Sequence, residues 1–168
     1  ADHLYLNGEE ITNLVIPEGI DSIGRNAFVG CHGLQTLTIP NGVKSIGSAA
    51  FYDCKNLVSV NIPSSLERVG WHCFDKSTGL KSVHISNLKA WCDIQFGNCF
   101  SNPLFYAENL CLNGNVISDM TIPVGVSTIR DYTFYSYDKL TSVTIPCDVK
   151  TIGVEAFRYS NINTIKFA

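Results

Sequence analysis

The chain has 168 residues, of which 45% are hydrophobic and 16% are charged, and its net charge is −3. This composition excludes a disordered tail, and no apolar run approaches the roughly 18 residues that a transmembrane helix needs. Basic residues are neither in excess nor clustered, which disfavours a nucleic-acid partner. Ile and Val together outnumber Leu, and this β-branched bias favours strands over long helices.

A 23-residue repeat runs through the chain. Its most visible mark is an Ile-Pro pair that begins at Ile16, Ile39, Ile62, Ile122 and Ile145. The full unit reads L-x-x-L-x-I-P-x-x-V-x-x-I-G-x-x-A-F-x-x-C-x-x. Units with apolar residues at one fixed period cannot close a core alone, so they bury it by stacking on one another.

One unit is longer than the others. Ile85 and Ile122 lie further apart than one repeat, so the unit at about 86–121 carries a 14-residue insertion. The segment L-Y-L-N-G at residues 4–8 also returns as L-C-L-N-G at 110–114. Asn-Gly between apolar residues is typical of a two-residue turn, which predicts β-hairpins near residues 4–11 and 110–117.

The repeat predicts a β-rich solenoid of 23-residue coils. Alternation in L-x-I predicts one strand per coil, and these strands stack into a parallel sheet on one face. The proline that follows removes a hydrogen-bond donor and ends each strand at the same place. The opposite face is expected to hold short strands closed by Gly and tight helical turns that carry the Phe. We expect residues 1–168 to form a single solenoid domain.

The repeat resembles a known family. The unit at 34–54, the irregular W-C-D-I-Q-F-G stretch at 91–97 and the hairpin at 110–114 are similar to the leucine-rich repeats of BspA-like surface proteins. This resemblance implies a leucine-rich repeat fold and a secreted or surface-displayed protein, mostly from host-associated bacteria. It also implies adhesion to host matrix proteins such as fibronectin or fibrinogen, or to other microbes. It carries over no binding residue.

Several residues depart from the repeat close to the insertion. Ser86 replaces Pro, Arg130 replaces the closing Gly, and Ser77 and Tyr137 stand at the position of Cys54. These departures predict a kink or a widening of the solenoid there.

The seven cysteines are an odd number, which excludes a complete disulfide framework. A Cys92–Cys99 or a Cys99–Cys111 disulfide in the irregular stretch remains open. Three others occupy repeat positions that small or apolar residues otherwise hold, which predicts buried thiols: Cys31, Cys54 and Cys73. The chain begins without a signal peptide and its strand pattern runs to Ala168, so we expect a piece of a longer protein.

The sequence does not favour catalysis or metal binding. It has no paired C-x-x-C or H-x-x-x-H spacing, no G-x-S-x-G and no phosphate-binding loop, so we expect no cofactor, no metal and no enzyme. A thiol hydrolase remains an alternative, because Cys and His side chains distant in sequence sometimes meet in a fold.

Two sets of residues are candidates for binding. The outward positions of the long strands carry small polar side chains: Thr36, Thr38, Ser59, Asn61, Ser82, His84, Thr121 and Thr144. The competing interpretation is that these residues only satisfy β-propensity on a solvated face. The second set is aromatic, with Tyr52 and Trp71 at variable repeat positions and Trp91 in the insertion. For Trp91 the alternative is a satellite core with Phe96 and Phe100.

The expected function is protein recognition or adhesion by a non-catalytic protein that is extracellular or on the cell surface. The partner would be a host extracellular-matrix protein or another surface protein, not a nucleic acid. The alternatives are a module that binds carbohydrate or mucin through the aromatic residues, and a spacer that displays another domain.

Overall fold

Short strands, mostly two per coil and joined by turns, define the architecture of the computed structural model, which describes residues 3–168. In chain order the strands are β1 (Tyr5–Leu6), β2 (Glu9–Glu10), β3 (Asn13–Val15), β4 (Ser22–Ile23), β5 (Thr36–Thr38), β6 (Ser45–Ile46), β7 (Ser59–Ile62), β8 (Arg68–Val69), β9 (Ser82–Ile85), β10 (Gln95–Phe96), β11 (Asn109–Leu112), β12 (Asn115–Val116), β13 (Asp119–Thr121), β14 (Thr128–Ile129), β15 (Ser142–Ile145), β16 (Thr151–Ile152) and β17 (Thr164–Phe167). One α-helix, α1, spans Leu88–Asp93, and two 3₁₀ turns follow it at Cys99–Ser101 and Pro103–Phe105. None of the helices in this range has the length and hydropathy that crossing a bilayer requires.

The long-strand sheet contains β3, β5, β7, β9 and β11 in parallel, with β12 antiparallel at its edge. Its inward side chains form a column in which Leu37 lies beside Val60, Val60 beside Val83, and Val83 beside Leu110. All four are fully buried. Because side chains alternate along a strand, the residues on either side of this column point outward.

The short-strand sheet lies opposite and contains β4, β6, β8 and β10. It contributes a second buried column of Ile23, Ile46, Val69 and Phe96, also in register. Beyond the insertion, β13, β15 and β17 form a separate three-stranded sheet, and β14 pairs with β16. The predicted solenoid of 23-residue coils with parallel sheets is confirmed.

The repeated phenylalanine fills the corner of each regular coil. Phe28 stacks on Phe51 with ring centroids 5.2 Å apart, and Phe51 stacks on Phe74 at 5.6 Å. Past the insertion, Phe134 and Phe157 repeat the arrangement at 5.3 Å. Offset stacking at these distances contributes about 0.5–1.5 kcal/mol per pair beyond burial.

The repeated glycine lies where two successive coil corners nearly touch. A Cβ atom at Gly47 would lie 2.5 Å from the backbone nitrogen of Arg25, and one at Gly70 would lie 2.4 Å from that of Ser48. At Gly24, before which no full coil is described, a Cβ would meet nothing within 4 Å. Glycine is therefore required wherever another corner precedes it.

The turns that carry the phenylalanines contain left-handed residues at two positions of each regular coil. The first position has positive φ at Asn26, Ala49, His72, Tyr132 and Glu155. The second has it at Gly30, Asp53, Lys76, Ser136 and Tyr159. Non-glycine residues disfavour this conformation by about 1–2 kcal/mol, so packing of the coil holds it in place. Few of these residues are glycine, so the sequence indicates the left-handed positions poorly.

The insertion adds α1 and a hairpin, and it interrupts both sheets. Asn87 caps α1 by accepting a hydrogen bond from the Ala90 N–H at 3.0 Å. The next long strand, β11, places Asn109 beside Ser82 of β9, where regular repeat spacing would place Phe105.

Both predicted hairpins are confirmed, since β11 pairs antiparallel with β12 and β1 pairs with β2 in the same way. In the second hairpin, Asn113 and Gly114 both have positive φ, as a type I′ turn requires.

Replacing Gly47 by Ala should lower the free energy of unfolding by about 2 kcal/mol or more, because the new methyl group overlaps rigid backbone of the preceding coil. Gly24→Ala is the matched control at the same repeat position. It should leave the free energy unchanged or raise it by up to about 1 kcal/mol through lower unfolded-state entropy. Urea unfolding measures both, and equal effects of the two variants would contradict the close approach of the corners.

Candidate functional site

The outward face of the long-strand sheet brings six of the predicted binding residues together. Thr36, Ser59 and Ser82 form one row across β5, β7 and β9. A second row, two residues further along each strand, contains Thr38, Asn61 and His84. We call these six residues the polar array. All are exposed or half-buried, because they alternate with the buried Leu37 column.

Hydrogen bonds between side chains order the polar array. The Thr36 hydroxyl donates to Asn13 Oδ1 at 2.7 Å, and Asn61 Nδ2 donates to Thr38 Oγ1 at 3.1 Å. His84 Nε2 lies 3.0 Å from Ser82 Oγ. Hydroxyl and amide groups have more than one donor or acceptor position, so these contacts leave hydrogen-bonding capacity for a ligand. Side chains that are already ordered lose little entropy on binding.

Thr121 and Thr144 do not belong to the polar array. They pair with each other across β13 and β15 in the three-stranded sheet, with Lys166 next in the same row. The hairpin strand β12 ends the long-strand sheet before β13 begins. The inserted hairpin thus divides the outward face, and it separates Thr121 and Thr144 from the other six predicted residues.

The three aromatic candidates have different environments. Trp71 is 61% exposed at a coil corner. Tyr52 is half-buried, with Lys76 Nζ 5.2 Å from its ring centroid. Trp91 is only 1% exposed and donates its Nε1 hydrogen to the Thr133 carbonyl at 3.1 Å.

Trp91 is consequently wrong as a binding residue, because no ligand reaches it. Its ring lies 5.4 Å from that of the buried Phe96, as the alternative of a satellite core predicts. Phe100 is half-buried and belongs to a neighbouring aromatic cluster, 4.7 Å from Phe105. The core interpretation is confirmed for Trp91 and Phe96.

All seven cysteines are free, so neither of the two disulfides left open by the sequence is formed. Burial raises the pKa of Cys54 and of Cys92 to about 12. It also raises the pKa of Cys73, which is fully buried. A thiol of raised pKa stays protonated at neutral pH and is a poor nucleophile. The predicted burial of Cys31, Cys54 and Cys73 is confirmed.

The side chain at the Cys54 repeat position donates a hydrogen bond to a backbone carbonyl of the preceding coil. Cys54 Sγ donates to the Phe28 carbonyl at 3.2 Å, and Ser77 Oγ donates to the Phe51 carbonyl at 2.8 Å. The two contacts are equivalent and lie one repeat apart. Ser77 therefore continues the interaction of Cys54, although the residue type departs from the repeat.

The described part of the chain also lacks any group of three His, Cys, Asp or Glu side chains placed to hold a metal ion.

A small cluster of ionisable side chains forms around Asp53. Asp53 Oδ2 is 3.2 Å from His32 Nε2, and Asp53 Oδ1 is 3.5 Å from Lys55 Nζ. The hydrogen bond from His32 and, secondly, the charge of Lys55 hold the pKa of Asp53 below its ordinary value. This cluster joins residues of adjacent coils, which single-residue patterns do not reveal.

The stacked parallel strands and the 23-residue coils define a leucine-rich repeat solenoid. The family model for the BspA-type leucine-rich repeat region matches residues 1–109 and 96–168, with six copies of the repeat. The chain therefore belongs to the BspA-type leucine-rich repeat family.

Solved structures of other leucine-rich repeat proteins are similar to this chain. A leucine-rich cell surface protein from Faecalibacterium prausnitzii is 20% identical, with 94% of this chain and 61% of that chain covered and a TM-score of 0.39. The pneumococcal vaccine antigen PcpA is 18% identical, with 92% and 50% covered and a TM-score of 0.44. A leucine-rich repeat protein from T. pallidum is 23% identical, with 77% and 57% covered and a TM-score of 0.43.

The chain thus spans 50% to 61% of the length of these three proteins. No curated protein matches its sequence.

The lowered pKa of Asp53 predicts an acid-dependent loss of stability. A carboxylate whose pKa is lower in the folded state stabilises the fold above its unfolded pKa, and this contribution disappears as the pH falls through the folded pKa. Asp53→Asn should therefore reduce the free energy of unfolding at pH 7 but have little effect at pH 2. Urea unfolding at both pH values measures the difference. Asp21→Asn, at an exposed aspartate, is the control, and an equal response of both variants would contradict the role of the cluster.

Proposed function

We propose that the chain is a non-catalytic recognition module of a surface-exposed protein, and that it binds a partner protein through the polar array. The observation that carries this proposal is the continuity of two polar rows across three consecutive coils of one sheet. Membership of the BspA-type repeat family supports the extracellular location. The expected partner is a host extracellular-matrix protein.

Apolar side chains beside the polar array favour a protein partner. Val15 adjoins Thr38 in the same row and is 64% exposed, and Val58, just before β7, is 39% exposed. Protein interfaces combine apolar contact with hydrogen bonds from a mixed surface of this kind. The sheet backbone fixes the spacing of the rows, so only partners of matching shape gain all the contacts.

The absence of catalysis is part of the proposal. Protonated, buried thiols at Cys54, Cys73 and Cys92 do not serve as nucleophiles. The polar array itself contains hydroxyl, amide and imidazole groups on an open face, which suits binding better than chemistry.

Simultaneous replacement of Thr38, Asn61 and His84 by Lys should weaken binding to immobilised fibronectin or fibrinogen by about tenfold or more, because three long cations would displace the partner from one row. Surface plasmon resonance measures this loss. Replacement of Thr121 and Thr144 by Lys is the control, since these residues lie on the other sheet. Both variants should melt near the temperature of the unmodified protein. Retained binding by the triple variant would contradict the assignment of the polar array.

A second candidate function is glycan binding at the Trp71 corner. Trp71 borders an open cleft of about 440 Å³ on the short-strand sheet, where Ser48, Arg68 and Gln95 supply polar groups. Exposed tryptophan rings are suitable surfaces for sugar rings, and neighbouring polar groups then bond the hydroxyls. The high exposure of Trp71 favours this candidate over the buried Trp91.

Trp71→Ala should abolish retention on a mucin column, because it removes the exposed ring that borders the cleft. Val154→Ala is the matched control, since Val154 occupies the same repeat position and is 60% exposed. Unaltered retention of the Trp71 variant would eliminate the glycan candidate. No binding of the unmodified protein to either matrix proteins or mucin would favour a spacer.

A further inference from the structure

The insertion leaves two strand edges open in the middle of the solenoid. β12 is the last strand of the long-strand sheet, and β13 is the first strand of the three-stranded sheet. The two are consecutive in the chain, but no strand pairing joins them among the described residues. A sheet edge with unpaired N–H and C=O groups is a ready template for another strand.

Some backbone N–H and C=O groups of β13 point away from β15, toward the open edge of the sheet. The Ser118 carbonyl accepts from the Thr141 N–H at 2.8 Å, and the Ile122 N–H donates to the Thr144 carbonyl at 2.9 Å, so these residues face β15. Because successive residues of a parallel strand bond to opposite sides, the N–H and C=O groups of Asp119 and Thr121 point toward β12 instead.

The corresponding groups of a regular coil are paired. In β5, the Thr36 N–H donates to the Thr12 carbonyl at 3.1 Å, and the Thr38 carbonyl accepts from the Ile16 N–H at 3.0 Å. The strand that would supply such partners to β13 is replaced by β12, which runs in the opposite direction.

The backbone of β12 is also available on its outer side. The Ile117 N–H donates to the Leu110 carbonyl at 3.0 Å, and this pairing turns the backbone groups of Val116 away from β11.

A cleft of about 430 Å³ lies between these two strands. Leu88, Leu112, Ile117 and Met120 supply its apolar lining, and Val116 at its side is 51% exposed. Asp119 is the only charged residue in the lining.

We propose that this cleft binds an extended peptide of a partner protein, which adds as a strand to the β13 edge and carries a Lys or Arg opposite Asp119. Main-chain hydrogen bonds to Asp119 and Thr121 would provide affinity, and alternate apolar side chains would enter the lining. The charge of Asp119 selects a cationic peptide. β13 consists of Asp119, Met120 and Thr121, so no proline removes an N–H from this edge.

This site is separate from the polar array. The peptide would lie beyond β12, whereas the polar array ends at β9. The triple variant at Thr38, Asn61 and His84 should therefore retain peptide binding. Failure of either proposal leaves the other standing.

The test uses fluorescence anisotropy with a labelled peptide of sequence Lys-Val-Thr-Val-Thr-Val-Lys. Thr121→Pro removes the backbone N–H that points toward the open edge. Proline is tolerated at an edge position whose N–H faces solvent. Thr121→Val retains that N–H and changes only the side chain. Val15→Pro is the matched control, because Val15 occupies the same repeat position in β3, which also follows a hairpin strand. The two strands differ at the charged position, where β3 has Asn13 and β13 has Asp119.

We expect Thr121→Pro to weaken binding by about tenfold or more, and Thr121→Val and Val15→Pro to change it less than about threefold. Asp119→Asn should weaken binding in low salt and remove most of its salt dependence. A peptide methylated on every internal backbone nitrogen has no N–H donor on either edge and should not bind to the unmodified protein, and this arm does not depend on the folding of any variant.

Three results of the binding assay would overturn the proposal: no binding of the labelled peptide, equal binding of the methylated peptide, or equal losses for Thr121→Pro and Thr121→Val. The molecular mass in solution gives a further test. A mass that doubles as the concentration of the unmodified protein rises, but stays at the monomer value for Thr121→Pro, would also overturn the proposal, because a second copy of this chain would then occupy the edge.

Discussion

The close approach of successive coil corners is the constraint on which the rest of the structure depends. At Gly47, Gly70 and Gly153 the backbone of the preceding coil lies within 2.5 Å of the place where a Cβ would stand. Strands stack at their normal spacing of about 4.8 Å only if that atom is missing. At this spacing the buried columns and the phenylalanine stacks come into contact. The exceptions follow the same rule, since Gly24 has open space around it and the Arg130 N–H bonds to the Cys92 carbonyl of α1 at 3.4 Å, not to a short strand of a preceding corner.

The candidate surfaces follow from how far this stacking continues. Where coils stack without interruption, from β5 to β9, equivalent outward residues form the rows of the polar array. Where the inserted hairpin stops the stacking, the outward face is divided and backbone groups at Asp119 and Thr121 lose the partners that a regular coil would provide. Regular stacking therefore produces rows of outward side chains, and its interruption leaves main-chain groups at a sheet edge. Both depend on a rigid core, which the fully buried Leu37, Val60 and Val83 supply.

The sequence predicted the features that arise from periodicity. The coil length, the parallel sheets, the two Asn-Gly hairpins and the burial of Cys31, Cys54 and Cys73 all follow from residue types that recur at one register. It did not predict features that depend on the insertion's path through space. Trp91 looked like a surface aromatic because no repeat position defines it, yet it packs on Phe96 and bonds to Thr133. Thr121 looked equivalent to Thr38 because it keeps the register, although its strand belongs to another sheet. The left-handed turn residues were missed because Ala49 and His72 carry no glycine signal.

The most direct measurement is a set of nuclear Overhauser contacts between backbone protons of neighbouring strands in solution. We predict contacts between Thr36 and Ser59, which lie one regular repeat apart, and between Ser82 and Asn109, which the insertion separates by more than one repeat. A contact between Ser82 and Phe105 in place of Asn109 would mean that the coils keep their regular spacing through the insertion. That result would contradict both the interrupted stacking and the open edge derived from it.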